Sequence, residues 1–295
     1  MQESASALVT NWDIPTVVTC ALMLVGVIYT AGWIEIRRTR PSQFPPWRLM
    51  AFLTGLTAIF VAVASPLDTF SESLLFMHMA QHFVLMSIAP PLLVLGSPVV
   101  PMLRGLPRWT IPTLLRPLLR LPIIHSASGF LVRPLVAWIA MNAAYLAWHI
   151  PPAYEFALSS EHWHNVEHAC FLFTSMLFWW PILEPWPFRR RGSRWMILLY
   201  LLLADIVNTG LSAFLCFSGR LLYPSYGEIP RPFGLSALND QVAAGALMWV
   251  LGSIVFLLPV IAITMQIFSV KGAQRLESAK TRTARGYRMQ LSGTE

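Results

Sequence analysis

Seven stretches of this chain each run for about twenty residues with almost no charge, and they leave it few ways to fold. They lie near residues 15–35, 48–65, 73–95, 131–149, 165–183, 195–217 and 240–268. In a bilayer core every backbone polar group must be satisfied within its own segment, which selects helices. Composition points the same way. Of 295 residues, 56% are hydrophobic and only 12% are charged, whereas soluble domains run near a quarter charged. A chain so poor in charge cannot cover a globular surface with polar groups. The expected fold is all-α: a polytopic membrane protein with seven transmembrane helices. Proline marks expected helix ends at Pro15, Pro66, Pro151, Pro152 and Pro181. Pro90 and Pro91 fall inside the third stretch and predict a kink or an end there.

The basic residues set an expected orientation. Arg37, Arg38, Arg40 and Arg48 follow the first stretch; Arg104, Arg108, Arg116, Arg120 and Arg133 follow the third. Arg189, Arg190, Arg191 and Arg194 follow the fifth, and Lys271, Arg275, Lys280, Arg282, Arg285 and Arg288 follow the seventh. Only Arg220 and Arg231 fall on the other side. The positive-inside rule then predicts the N-terminus outside and the C-terminus cytoplasmic. The net charge of +7 is read as this bias and not as a nucleic-acid footprint; no nucleic acid is expected as a partner. The expected organisation is a periplasmic N-terminus at 1–14, a membrane domain at 15–270, and a basic cytoplasmic tail at 271–295. The tail is polar enough to be expected as a mobile extension. MQESASALVTNWD lacks a basic start, and the apolar run after it is too long for a cleavable signal. The connector PRWTIPTLLRPLLRLP suits either an amphipathic interfacial segment or an ordinary basic loop.

Placed on this topology, six of the seven histidines share the outer side. His78 and His82 lie in the outer half of the third span, His149 ends the fourth, and His162, His164 and His168 begin the fifth. Only His125 falls on the cytoplasmic side. His78/His82 and His164/His168 are both i,i+4 pairs, which a helix stacks on one face. His82 is expected about 10–15 Å below the surface, where an ionisable group should face the bundle interior with a partner. Two such pairs on neighbouring helices can offer four imidazoles to one ion. Imidazole suits copper, zinc, iron and nickel, and thioether selects Cu(I). Met77, Met79, Met86 and Met248 stand at comparable depth, so copper is the preferred candidate. Haem and zinc are weaker ones, haem because histidines on facing helices also ligate its iron. Methionine is also common in apolar helices, where it usually just packs.

Other features have two readings each. HNVEH matches the H-x-x-E-H pattern of a zinc hydrolase family, but it lies at a membrane surface in a chain without a soluble catalytic domain. Glu167 is better read as an acceptor that orients a ligating imidazole. Asp205, with Asn208 one turn away, is a deep acidic group and hence either a functional site or a buried polar partner. Asp240 and Gln241 open the last span; Asp240 either stabilises the positive end of that helix or belongs to a site. Cys20, Cys170 and Cys216 are odd in number and lie in apolar runs, so no disulfide framework is expected. The last span carries no lysine, which rules out a retinal Schiff base there. No enzymatic activity is expected.

Five blocks then carry a family resemblance. MHMAQHFVLMSIAPPLLVLGSP (77–98), WHIPPAYEFAL (148–158), HWHNVEH (162–168), LLYPSYG (221–227) and NDQVAAGALMWVLG (239–252) resemble, in that order, the multi-span CtaG-type cytochrome c oxidase assembly family. The resemblance covers the second span to the seventh. It implies a bacterial inner-membrane accessory factor for building a haem-copper oxidase, with relatives linked to copper-uptake domains. The implied partners are an oxidase subunit or its copper chaperone, besides the lipid bilayer. The matching positions are His78, Gln81, His82, His149, His164, Glu167, His168, Asp240, Gln241 and Met248. A copper transporter and a metal-free scaffold for an oxidase subunit are the alternatives.

Overall fold

The computed structural model describes residues 15–117, 121–188, 193–228 and 234–292. The expected N-terminal segment 1–14 and the residues Arg120, Arg189, Arg190, Arg191 and Arg231 lie outside them, as do the side chains of His125 and of residues beyond 269. Among the described residues the chain is helical, with no strand. The helices are α1 Thr16–Thr39, α2 Pro46–Ala64, α3 Pro66–Ser71, α4 Leu75–Phe83, α5 Ala89–Leu95, α6 Val99–Gly105, α7 Pro122–Leu131, α8 Pro134–Trp148, α9 Pro151–Leu158, α10 Glu161–Leu183, α11 Arg194–Phe217, α12 Ser225–Glu228 and α13 Ala237–Ser292. π-Helical turns fill Val84–Ile88 and Ile111–Leu115, the latter within the basic connector.

Among the described residues, six helical runs are long and apolar enough to cross a membrane: α1, α2, the continuous Leu75–Leu95, α10, α11 and the Ala237–Ser269 part of α13. A seventh is reached only if α7 and α8, bent by 75° from each other, are counted as one span. The expected fourth span at 131–149 corresponds to α8 with the end of α7, and it stands as a span only as part of that bent pair. The 15 residues of α8 rise about 22 Å, short of a hydrocarbon core of about 30 Å. Pro134 occupies the start of α8 and cannot continue a helix arriving from Leu131.

The proline pair distorts the third span without ending it. Pro90 has no N–H to offer the Met86 carbonyl four residues back, and its ring crowds that oxygen. The backbone widens there into the π turn, and the released Met86 carbonyl accepts the Trp179 indole N–H at 3.2 Å. Pro181 stands inside α10, which ends two residues later at Leu183 and closes with Glu184 at φ 45°. Helix α13 continues through the basic tail to Ser292.

Two apolar cores result. The first gathers Tyr29, Trp33, Phe52, Leu56 and Leu93 from α1, α2 and α5. The second gathers Met79, Tyr145, Phe178, Tyr200, Met248 and Phe256 from α4, α8, α10, α11 and α13. Helix α10 serves both: Leu172 and Met176 pack on the first core, Phe178 and Trp179 on the second. Basic residues collect at one end of the bundle. Arg48 donates to Ser97 Oγ, the Trp186 N–H donates to the same oxygen at 3.1 Å, and Arg40 lies over the Trp186 ring. The histidines occupy the opposite end.

Candidate metal centre

Local sequence rules put the imidazoles in place. Helix α10 starts at Glu161 because Ser160 caps it, its hydroxyl accepting from the Trp163 N–H at 3.4 Å. His164 and His168 then fall on successive turns. Helix α4 has no cap from its own Leu74. Asp240, fully buried, supplies one from across the bundle, accepting from the Leu75 N–H at 2.7 Å and the Phe76 N–H at 3.0 Å. Asp240, in the first turn of α13, thus also caps the N-terminus of α4. It fixes α4 three residues before His78.

Gln81 and Gln241 are structural ties in the same frame. The Gln81 amide donates to the Ala62 carbonyl at 2.8 Å and to Asp68 at 2.5 Å, holding α4 against α2 and α3. Gln241 accepts from the Leu222 N–H at 2.8 Å and donates to the carbonyls of Leu215 and Arg220, so it stitches the 218–222 turn. Asp205 accepts from Ser253 at 2.8 Å between α11 and α13 and is half-buried. It lies apart from the histidines.

Five imidazoles converge. The His78 and His82 rings are 4.3 Å apart, His78 and His164 5.1 Å, His164 and His168 4.1 Å, and His82 and His168 5.3 Å between centroids. His149 lies 6.1 Å from His82. One ligand atom each from His78, His82, His164 and Glu167 come within 4.8 Å of one another. Nitrogen ligands around a tetrahedral ion, with bonds of about 2.1 Å, stand about 3.4 Å apart. His164 is half-buried and forms the rim, whereas His78, His82, His149 and His168 are buried. His162 is exposed.

The hydrogen bonding around these rings is informative. His149 Nδ1 lies 2.7 Å from the Tyr145 carbonyl; a carbonyl only accepts, so Nδ1 carries the proton and Nε2 keeps a lone pair. The Tyr226 hydroxyl donates to the Ser71 carbonyl at 2.7 Å and stands 3.2 Å from His78 Nδ1. With its own proton committed, Tyr226 accepts from His78 and leaves His78 Nε2 unprotonated. Both Nε2 atoms are buried without a hydrogen-bond partner, as are Nε2 of His164 and His168, both ring nitrogens of His82 and both oxygens of Glu167. Glu167 Oε1 approaches His82 Nε2 only to 3.9 Å.

Tyrosines roof the cluster, and sequence reasoning missed them as site residues. Tyr223 donates to the His149 carbonyl at 2.9 Å, and Tyr154 donates to the Tyr226 oxygen at 3.3 Å. Burial pushes the Tyr223 and Tyr226 hydroxyls up from their ordinary pKa, so both remain neutral donors. The available signal was the block LLYPSYG, which carries both. Helix α12, which holds Tyr226, is tied to α9 by Glu155, whose carboxylate accepts from the Ser225 N–H at 3.2 Å and from the Ser225 hydroxyl.

The methionines fall elsewhere. Met79, Met86 and Met248 line a cavity adjoining the cluster, whose wall includes His82 and His149. The cysteines do not enter the site: Cys20 is exposed, and Cys170 and Cys216 are half-buried and free.

The chain is similar to proteins of Mycobacterium bovis and Mycobacterium tuberculosis, each described only as uncharacterized, at 27% identity over 262 residues. A Mycobacterium leprae protein matches at 26% over 270 residues. Each alignment covers 87% of this chain but 39% of the relative, so the chain spans about two fifths of the length of these proteins. No solved structure matches. The apolar helices and bacterial relatives make this a multi-pass inner-membrane protein. The model of the Caa3_CtaG family, the cytochrome c oxidase caa3 assembly factors, matches residues 27–269, and the chain belongs to that family.

Proposed function

We propose that this protein holds a copper ion in the imidazole cluster and hands it on during assembly of a haem-copper oxidase. The observation that carries this reading is the set of buried, unpartnered ligand atoms on His78, His82, His164, Glu167 and His168. A buried polar atom left without a partner costs about 1–3 kcal/mol. Several in contact are tolerated when a cation satisfies them together. His78, His82 and His164 are the primary ligands, Glu167 a fourth ligand or the acceptor that orients one, and His168 and His149 flanking ligands used in transfer. Copper fits the imidazole-rich set, and the family's association with an oxidase that contains copper favours it over zinc and haem. The protein acts as a binding and transfer factor, with no bond-making chemistry of its own.

In this reading the histidine end faces the periplasm and the arginine end the cytoplasm, following the positive-inside bias. His164 at the rim is the point of exchange with the partner, an oxidase subunit or its copper chaperone. Asp205, midway along α11, is engaged with Ser253, which disfavours a copper path across the bilayer.

The test is Cu(I) titration of the purified full chain in detergent, comparing wild type with His82→Ala and His168→Ala. The expected result is one ion lost in His82→Ala and weaker binding in His168→Ala. Unchanged stoichiometry and affinity in both would overturn the copper reading. Normal oxidase copper content in cells carrying both substitutions would leave the scaffold role in its place.

A further inference from the structure

Beneath the imidazole cluster lies a chamber of about 50 Å³. It begins beside His82 and reaches Met86, one turn or about 6 Å deeper along the same span. Four methionines line it: Met79 and Met86 from the Leu75–Leu95 run, Met141 from α8 and Met248 from α13. Met79, Met141 and Met248 are buried. His82 and His149 belong to both the cluster and the chamber wall.

The walls are held in position by hydrogen bonds. The Trp179 indole fixes the Met86 carbonyl, as described above. The Asn208 amide donates to the Met248 carbonyl at 3.3 Å and accepts from the Tyr145 hydroxyl at 3.0 Å. Gly252 makes room for Asn208, since a Cβ there would meet its side chain at 2.5 Å. Ser175 lines the chamber too, with a buried hydroxyl that has no partner. The lower end is aromatic. Phe178, Trp179 and Phe256 line it and touch one another, with centroids 5.6, 5.9 and 6.3 Å apart.

A single water needs about 10–15 Å³, so this space holds a few waters or one ligated ion. Packing alone does not account for four flexible thioethers around a void, because an apolar core closes such gaps. Thioether sulfur binds soft monovalent copper and discriminates against zinc and other harder ions. We infer that the chamber is a second, deeper Cu(I) site, with sulfur ligands from Met79, Met86, Met141 and Met248, filled from the imidazole cluster through His82 or His149. The aromatic floor makes it a reservoir that returns its ion to the cluster. This extends the copper reading of the imidazole cluster and rests on it for the choice of metal.

The experiment loads the full chain in detergent micelles with Cu(I), and separately with Ag(I) as a soft, redox-silent probe. Ions per chain and the sulfur shell in X-ray absorption are then read. Wild type is expected to hold two ions with a sulfur shell. Met79→Leu/Met141→Leu/Met248→Leu is expected to hold one ion with nitrogen and oxygen neighbours only. Methionine-to-leucine changes conserve volume and are well tolerated in cores; if the triple variant does not fold, Met141→Leu alone should lower the sulfur coordination number. One ion with no sulfur shell in wild type would overturn the chamber and leave the imidazole site standing. A sulfur-bound ion that persists in His78→Ala/His164→Ala, with no nitrogen-bound ion in wild type, would support the chamber and overturn the imidazole reading. No bound ion in any form would overturn both.

Discussion

The two cores of this bundle are packed by opposite rules. In the first, backbones touch. A Cβ at Gly32 would lie 1.8 Å from the Pro101 carbonyl oxygen, and one at Gly105 would lie 1.8 Å from the Ile28 oxygen. Glycine lets α1 and α6 meet backbone to backbone, as small residues do between membrane helices. The buried Tyr29 hydroxyl there donates to the Gly96 carbonyl at 2.7 Å. In the second core the helices stand apart around a cavity, and the buried imidazoles and Glu167 present nitrogens and oxygens to no partner. The same chain that satisfies Tyr29 leaves His82 bare. The contrast is the ground for proposing a ligand in the second core, because van der Waals packing of small residues between membrane helices gives the first kind of contact.

The largest effect expected from breaking this contrast lies in the first core. Gly32→Leu forces α1 and α6 apart and should cost about 3 kcal/mol or more, at the upper end of overpacking penalties. Thermal unfolding in detergent measures this, and the fraction that folds should still bind copper normally. A stable Gly32→Leu protein would show that the backbone contact is dispensable.

Next comes a tie within the second core, between α13 and α4. Asp240→Ala uncaps α4 and buries two free N–H groups, which should cost about 2 kcal/mol. Copper affinity should fall as well, because His78 follows the cap by one turn. Asp240→Asn keeps an acceptor and should lose less on both counts. Equal loss in Asn and Ala variants would show that the negative charge, and not the cap geometry, matters.

The smallest change in stability is expected at the roof. Tyr226→Phe removes the acceptor that fixes the His78 ring and should shift unfolding by about 1 kcal/mol. Partners that orient a ligating imidazole typically contribute 10–100-fold in metal affinity, so copper binding should weaken about tenfold. Unchanged affinity would break the tautomer argument. Together the three variants separate stability carried by the first core from binding carried by the second.

The pattern along the chain made much of this legible. Apolar length and the i,i+4 pairs at His78/His82 and His164/His168 depend on local spacing, which helical geometry converts directly into shared faces. The two-sided distribution of arginine and histidine was equally readable, and the structure puts Arg40 and Arg48 at the end opposite the imidazoles. What was not legible depends on contacts between distant segments. For Asp240 the sequence offered a role at its own helix end or in a site, and neither reading showed its tie to α4, 165 residues away along the chain. Gln81 and Gln241 matched family positions, yet their hydrogen bonds are those of structural ties. Tyr226 is 148 residues from the imidazole it touches, and no periodicity links them.

By itself the sequence determined that this chain lives in a membrane, that it is helical, and that its imidazoles and its arginines gather apart. Those properties follow from composition and from repeats of three to four residues, which act within one helix. Only the tertiary structure decided which nitrogen of His78 stays unprotonated, that Glu167 joins the rings, and that the methionines line a separate chamber. These depend on the rotation and spacing of packed helices. Partners a hundred residues apart set them, through close contacts that no local pattern encodes.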